Sequence, residues 1–266
     1  MVTVNYTSNY CKGLASIAWL GTAWYNSSIH QMGTISKLLD TASVKRLALE
    51  HGFDKVGIAP AEDFDFPAWV HSVIVLGYAT LDEAYDYEMY IQYQGQCKWH
   101  KPIYALLEAL SARLAHTLRQ ERCQAEHLTF EDSISIIDLK KAAVLAGLGT
   151  LGLNKVVVNK EYGPRIRFGA VFTDLELEPD RPLDDYYCSS CTICWGACPT
   201  EALGPNGFDR SRCIAEFNPT PEMLERQKKM LKFPTPVTRR QCISCLTSCP
   251  IGKRLPVEMW FDVRNE

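Results

Sequence analysis

Eight of the chain's eleven cysteines fall between Cys188 and Cys249, and their spacing limits what the last third of the sequence can become. The segment CSSCTICWGACPT sets Cys188, Cys191, Cys194 and Cys198 at C-x2-C-x2-C-x3-C, with Pro199 behind the last. Cys213 follows, and QCISCLTSCP adds Cys242, Cys245, Cys249 and Pro250. A run of this form wraps cubane iron-sulfur clusters, and eight thiolates supply two four-ligand sets. Zinc also takes four thiolates at C-x2-C spacing. It requires neither a third Cys at x2, a fourth at x3 with Pro behind it, nor their partial repetition.

In bacterial two-cluster ferredoxins the fourth Cys of a run ligates the other cluster. That rule would give one [4Fe-4S] cluster to Cys188, Cys191, Cys194 and Cys249, and a second to Cys198, Cys213, Cys242 and Cys245. The interval from Cys213 to Cys242 is longer than in a compact ferredoxin and holds an insertion. Clustered thiolates of this kind favour metal ligation in a reducing compartment, and the expected setting is the cytoplasm. Cys11, Cys97 and Cys123 read as ordinary thiols.

The remainder must fold as a globular body. The chain has 266 residues, 47% of them hydrophobic, enough for a sizeable core. Its 28 Lys plus Arg against 31 Asp plus Glu give no global case for nucleic-acid binding. A local basic stretch, Arg226, Lys228, Lys229, Lys232, Arg239 and Arg240, lies inside the cysteine insertion and could meet phosphate or an acidic partner. Residues 1–31 read as an extension: GLASIAWLGTAWYNSS is broken by Gly, Ser and Thr and lacks a convincing cleavage site. No run reaches the roughly 18 apolar residues of a membrane span.

Apolar spacing at Ile35, Leu38, Leu39, Ala42 and Leu47 predicts an opening helix ended by Gly52. Short buried strands are expected at Lys55 to Ala59 and Ser72 to Tyr78. A helix should start near Pro102, with Ile103, Leu106, Leu107, Leu110, Leu114 and Leu118 on its core face. A third helix is expected from Ile136 to Ala146, then strands at Lys155 to Asn159 and from Ile166. The acidic, Pro-rich LELEPDRPLDDYY reads as a linker. This gives an α+β domain over residues 32–180, a cluster module over 181–255, and a tail over 256–266.

AGLGTLGLNKVVVNK spells G-x-G-x-x-G at Gly147, Gly149 and Gly152, but a helix precedes it and a strand follows, the reverse of the dinucleotide-binding order. The glycines instead suggest a turn where backbone passes something closely, a flat cofactor being one candidate. DKVGIAPAE, SVIVLGYA, AAVLAGLGTLGLNKVVVNKEYGPRIRFGAVFTDLEL, CSSCTICWGACPTEAL and RCIAEF occur in the order seen in epoxyqueuosine reductases, and the chain resembles that family, related to the reductive dehalogenases, over about residues 35–250.

The resemblance implies a nitroreductase-like α+β domain that binds base-off cobalamin near Gly147, Gly149, Gly152 and Lys155, followed by a ferredoxin-like module that feeds it electrons. It also implies a catalytic acid in a V-D-T-x-P stretch, where this chain has FEDSISIID. Asp132 is the nearest match, one residue out of register and without the Pro, with Glu131 and Asp138 as competitors. His100 matches a position where the family tends to carry His. The D-x-H cobalamin motif is not present, which fits base-off binding without a His ligand. The helical repeats that extend many family members beyond the clusters are also not in this sequence.

The expected function is an iron-sulfur oxidoreductase passing single electrons to a cofactor that reduces a substrate, with an acid such as Asp132 supplying a proton. The alternative is a carrier or reductive activator of a partner protein. The partners implied are a low-potential donor such as a ferredoxin or flavodoxin and, as a substrate candidate, tRNA. No membrane association is expected.

Overall fold

The computed structural model describes residues 39–81, 87–93, 96–129, 136–188, 191–215, 220–229, 238–240 and 242–253. Leu38–Glu266 forms one compact unit. At its centre lies a four-stranded antiparallel sheet built from β1 (Lys55–Pro60), β2 (Ser72–Ala79), β5 (Ala125–His127) and β8 (Ile166–Thr173), in the order β1-β2-β8-β5.

The continuous run Val73, Ile74, Val75, Leu76 is explained by this position. Successive side chains of a strand point to opposite faces, and both faces of β2 are covered. Ile74 and Leu76 pack with Val44 and Ala48 of α1 (Thr41–Glu50) and with Ile103, Leu107, Leu114 and Leu118 of α2 (Pro102–Gln120). Val73 and Val75 pack on the other side with Ala142 and Ala143 of α3 (Leu139–Leu145), Val157 and Phe172. Each of these four β2 side chains is fully buried, which stabilises by about 1.5–3 kcal/mol apiece relative to exposure. The result is helix, sheet, helix.

Local chemistry sets the helix ends. The Asp40 carboxylate caps α1 by accepting the Ser43 N–H at 2.8 Å, and Gly52 leaves the helix at φ +97°. Ile35 and Leu38, expected to open this helix, lie outside the described residues. α2 begins at Pro102 as expected, with Leu106 and Leu110 half-buried beside the fully buried stripe. α3 is shorter than the apolar spacing predicts because Asp138 caps it, accepting from the Lys140 and Lys141 N–H groups at 2.9 and 3.1 Å. The strand expected over Lys155 to Asn159 contracts to β7 (Val157–Val158), which pairs with β6 (Thr150–Leu151), since Lys155 sits in the connecting turn at φ +61°.

A second, three-stranded sheet was not evident in the sequence. β3 (Tyr87–Tyr93) and β4 (Gln96–His100) form a hairpin, and β11 (Thr238–Arg240) adds to β3 with Thr238 opposite Met89. The insertion between Cys213 and Cys242 therefore returns to pair with a strand from the first hundred residues. The cysteine segment itself holds α4 (Ile193–Gly196), the hairpin β9 (Leu203–Gly204) and β10 (Gly207–Phe208), α5 (Pro221–Lys229) and α6 (Ser244–Thr247). Among the described residues no helix is long and apolar enough to cross a membrane.

Candidate functional site

The two C-x2-C-x3-C-P runs adopt the same local structure. Each first Cys is followed by a residue at nearly identical backbone angles, Thr192 at φ −121°, ψ 14° and Ile243 at φ −123°, ψ 15°, and each then enters a single helical turn, α4 or α6. Cys194 and Cys245 thus occupy equivalent places, as do Cys198 and Cys249. The nine cysteines whose side chains are described are free thiols.

Burial, neighbouring thiols and hydrogen-bond donors shift four of the eight. Burial, followed by the charges of Cys188, Cys191 and then Cys249, pushes the Cys194 thiol up. Burial pushes Cys245 up to about 12, reinforced by Cys242 and Cys213 and less by Cys194 and Cys198. Cys249 is raised by burial and again by Cys188 and Cys191, against the Ile251 N–H and the Arg165 guanidinium, which lower it. Cys198 is held below the ordinary thiol range: burial raises it, but N–H groups of Thr200, Leu203 and Ala202 and the Thr200 hydroxyl outweigh that, the Ala202 N–H lying 3.2 Å from the sulfur. Cys188 and Cys191 accordingly act on both Cys194 and Cys249, while Cys245 responds most to Cys242 and Cys213, and more to Cys194 than to Cys198. Among the described residues no group of three or more His, Cys, Asp or Glu is arranged to hold a single metal ion. Cys123, far from these runs, is half-buried and raised by burial and by Asp174 and Glu121.

The second cysteine run is clamped to the turn that leads into β8. Arg165, 4% exposed, donates to the carbonyls of Leu246 at 2.8 Å, Cys249 at 3.3 Å, Ile251 at 2.5 Å and Lys253 at 2.7 Å. Gly163 and Gly252, at φ +59° and +77°, meet backbone to backbone, so that a Cβ on either would collide with the opposing turn. Lys253 closes the junction, its N–H on the Glu161 carbonyl at 2.7 Å and its Nζ on the Glu161 carboxylate at 2.6 Å. Hydrogen bonds from Lys253 and Lys55 hold Glu161 down at about 2. A cleft of about 530 Å³ opens beside this junction, lined by Gly52, Asp54, Tyr78, Tyr162 and Lys253 among others.

The glycine segment closes on the chain's own backbone. A Cβ at Gly147, which has φ +65°, would lie 2.6 Å from the Arg181 carbonyl oxygen. One at Gly149 would lie 2.5 Å from the Val158 carbonyl oxygen, and one at Gly152 2.7 Å from Asn154 Oδ1. What passes closely is the linker and β7, so these three glycines do not form a cradle for a flat cofactor. Gly147 does line a smaller cleft of about 330 Å³ with Lys55, Leu148, Lys160, Leu183 and Tyr187. Lys155 is exposed.

Asp132 and Glu131 lie outside the described residues, as do the side chains of His100, Arg226, Lys228, Lys232, Arg239 and Arg240. Asp138, the other acid considered, is engaged as the cap of α3. Sequence reasoning missed Arg165, Gly163 and Gly252. EYGPRIRF and SCPIGK carry the Gly residues that could have signalled a close approach, but nothing in them names the partner.

No family profile matches the chain. An epoxyqueuosine reductase of Lactococcus garvieae is 25% identical over 246 residues, covering 79% of this chain and 69% of the relative. Its Bacillus subtilis counterpart is 29% identical over 161 residues, covering 59% and 40%. The chain is similar in sequence to these epoxyqueuosine reductases. A tetrachloroethene reductive dehalogenase of Desulfitobacterium hafniense is 33% identical over 125 residues, 44% of this chain and 22% of that one. The structure of the Streptococcus thermophilus epoxyqueuosine reductase matches with TM-score 0.58 at 23% identity, over 82% of this chain and 68% of its own. An epoxyqueuosine reductase solved with a modified tRNA stem loop matches with TM-score 0.54 at 21% identity, over 79% and 64%. This chain therefore shares their mixed helix and sheet fold.

Proposed function

We propose that the chain is an iron-sulfur oxidoreductase of the epoxyqueuosine reductase type. Two [4Fe-4S] clusters would be held by Cys188, Cys191, Cys194 and Cys249 and by Cys198, Cys213, Cys242 and Cys245. The observation that carries this reading is the structural equivalence of the two C-x2-C-x3-C-P runs, each entering a single helical turn after Thr192 or Ile243 at nearly the same backbone angles. The clusters would receive single electrons from a low-potential donor such as a ferredoxin or flavodoxin and pass them into the α+β part, residues 32–180. The module over 181–255 serves as the conduit.

Relatedness makes cobalamin the candidate acceptor. The glycine hairpin at Gly147, Gly149 and Gly152 is filled by its own chain, so no step is assigned to a corrinoid there. Asp132 is the proposed proton donor, a neutral carboxyl that would protonate the reduced substrate. The tRNA stem loop held by a relative makes epoxyqueuosine in tRNA the first substrate to test.

The test begins with anaerobic preparation of the full chain, iron and sulfide analysis, and EPR of the reduced protein. Cobalamin is then added and Co(II) sought by EPR, followed by assay with an epoxyqueuosine-containing stem loop. About eight irons per chain, bound cobalamin and turnover support the proposal. Clusters with neither cobalamin binding nor turnover, but with fast electron exchange to a partner protein, would establish the carrier reading instead. Zinc without iron would refute both.

A further inference from the structure

The equivalent cysteines of the two runs differ in what stabilises their sulfur. Cys198 Sγ accepts the Ala202 N–H at 3.2 Å and lies 3.7 Å from the Thr200 hydroxyl, both neutral groups. Cys249 has a cationic side chain from outside the cysteine segment against it, Arg165 Nη1 donating to its carbonyl at 3.3 Å. That guanidinium is almost fully buried and reaches four carbonyls along the turn from Leu246 to Lys253. Burying a charge is costly unless it is well hydrogen-bonded. A fork of fixed donors does this where a lysine ammonium, with its three donors on one atom, cannot reach as many carbonyls at once.

We propose that Arg165 is a positioning residue for the cluster that Cys249 closes, fixing the Cys249 turn and raising that cluster's reduction potential above that of its neighbour. The inference rests on the two-cluster reading. Each cluster takes one electron from the donor protein, passing from [4Fe-4S]2+ to [4Fe-4S]1+ with no proton transferred. A fixed positive charge in a low-dielectric interior stabilises the more negative, reduced state, and net charge near the cluster is one of the levers that set its potential. Electrons then collect on the cluster tied through Arg165 to β8, the sheet strand beside β2, rather than on the cluster of Cys198 and Cys213. The guanidinium acts as both brace and bias.

The test is EPR-monitored redox titration of the anaerobically loaded full chain. The unsubstituted protein should show two midpoints. Arg165→Gln should lower the higher midpoint and leave the lower one in place. Arg165→Lys keeps the charge without the fork and should restore the higher midpoint. Gly252→Ala disturbs the same turn with the guanidinium kept, and should reduce cluster occupancy while leaving the midpoint of the loaded fraction unchanged.

The inference is overturned if Arg165→Gln, carrying both clusters, shifts neither midpoint or shifts both equally. It is equally overturned if Arg165→Lys falls as far as Arg165→Gln. Should Arg165→Gln fail to load, the neutral Arg165→Met decides by the same readout: a lowered higher midpoint alone upholds the charge assignment, and unmoved midpoints overturn it. An unsubstituted chain that binds no iron refutes the parent reading, whereas full iron with unmoved midpoints refutes only this one.

Discussion

Removing the Asp180 carboxylate should detach the linker from the edge of the central sheet, and the cost can be worked from its two contacts. Asp180 Oδ2 accepts the Ile58 N–H at 2.8 Å, its own N–H donates to the Ile58 carbonyl at 2.9 Å, and Oδ1 accepts from Lys45 Nζ at 2.6 Å. Ile58 is fully buried on the outer strand β1. Asp180→Ala leaves its N–H without an acceptor, costing about 1–3 kcal/mol. The ion pair is about 30% exposed on both sides, so its loss adds only about 0.2–1 kcal/mol. Asp180→Asn keeps an acceptor and loses only the ion pair. For a domain of this size 1 kcal/mol moves the melting midpoint by about 2–4 °C. Asp180→Ala should therefore fall by roughly 2–16 °C and Asp180→Asn by at most roughly 4 °C, with Lys45→Gln matching the Asn variant. The measurement is anaerobic thermal unfolding of the cluster-loaded chain by circular dichroism. If Asn falls as far as Ala, the buried N–H is not what the carboxylate supports and the reasoning fails.

Interleaving predicts which cysteine variants behave alike. Cys188→Ala and Cys249→Ala should lose the same cluster, Cys198→Ala and Cys213→Ala the other, each lowering iron from about eight to about four per chain; pairing by sequence proximity instead would contradict the assignment. Asp132→Asn should slow substrate reduction by about 10²–10⁴ with iron content unchanged, the range expected for loss of a general acid, and an undiminished rate would remove Asp132 from that role. Glu161, held down at about 2 by its two lysines, gives a pH signature. A depressed carboxyl contributes stability that is fully present above its unfolded value of about 4.5 and is lost as pH falls from there toward about 2. The melting midpoints of the unsubstituted chain and Glu161→Gln should therefore differ by the same amount at pH 8 and pH 6. Convergence within that interval would show that another group carries the effect.

The parts legible in the sequence are those where one local rule acts alone. The run Val73 to Leu76 announced a strand buried on both faces, and the stripe from Ile103 to Leu118 announced a helix with one core face, since periodicity reports burial directly. The spacing of the cysteines suggests ligand sets because short intervals leave a chain few ways to converge on one centre. Features made by two distant segments were not legible. Pairing of Thr238–Arg240 with Tyr87–Tyr93 depends on register between strands some 150 residues apart, which no local pattern encodes. The glycines show the same limit from the other side: Gly147, Gly149 and Gly152 declared a close approach, but only the fold shows that the linker and β7 fill it.

The two glycine sites also divide the labour of the fold. At Gly147 the chain presses the linker against the α3 turn, and Asp180 beside it grips β1, so the start of the cysteine segment is fixed to one edge of the sheet. At Gly163 and Gly252 the end of that segment is fixed to the turn before β8, with Arg165 through its middle. Cys188 hangs from the first anchor and Cys249 from the second. In the proposed ligand set these two belong to one cluster, so that cluster would be closed by residues tethered at two separate points of the α+β part. Loosening either anchor should then cost that cluster first, and the occupancy of the Cys198 cluster in Asp180→Ala is the internal control.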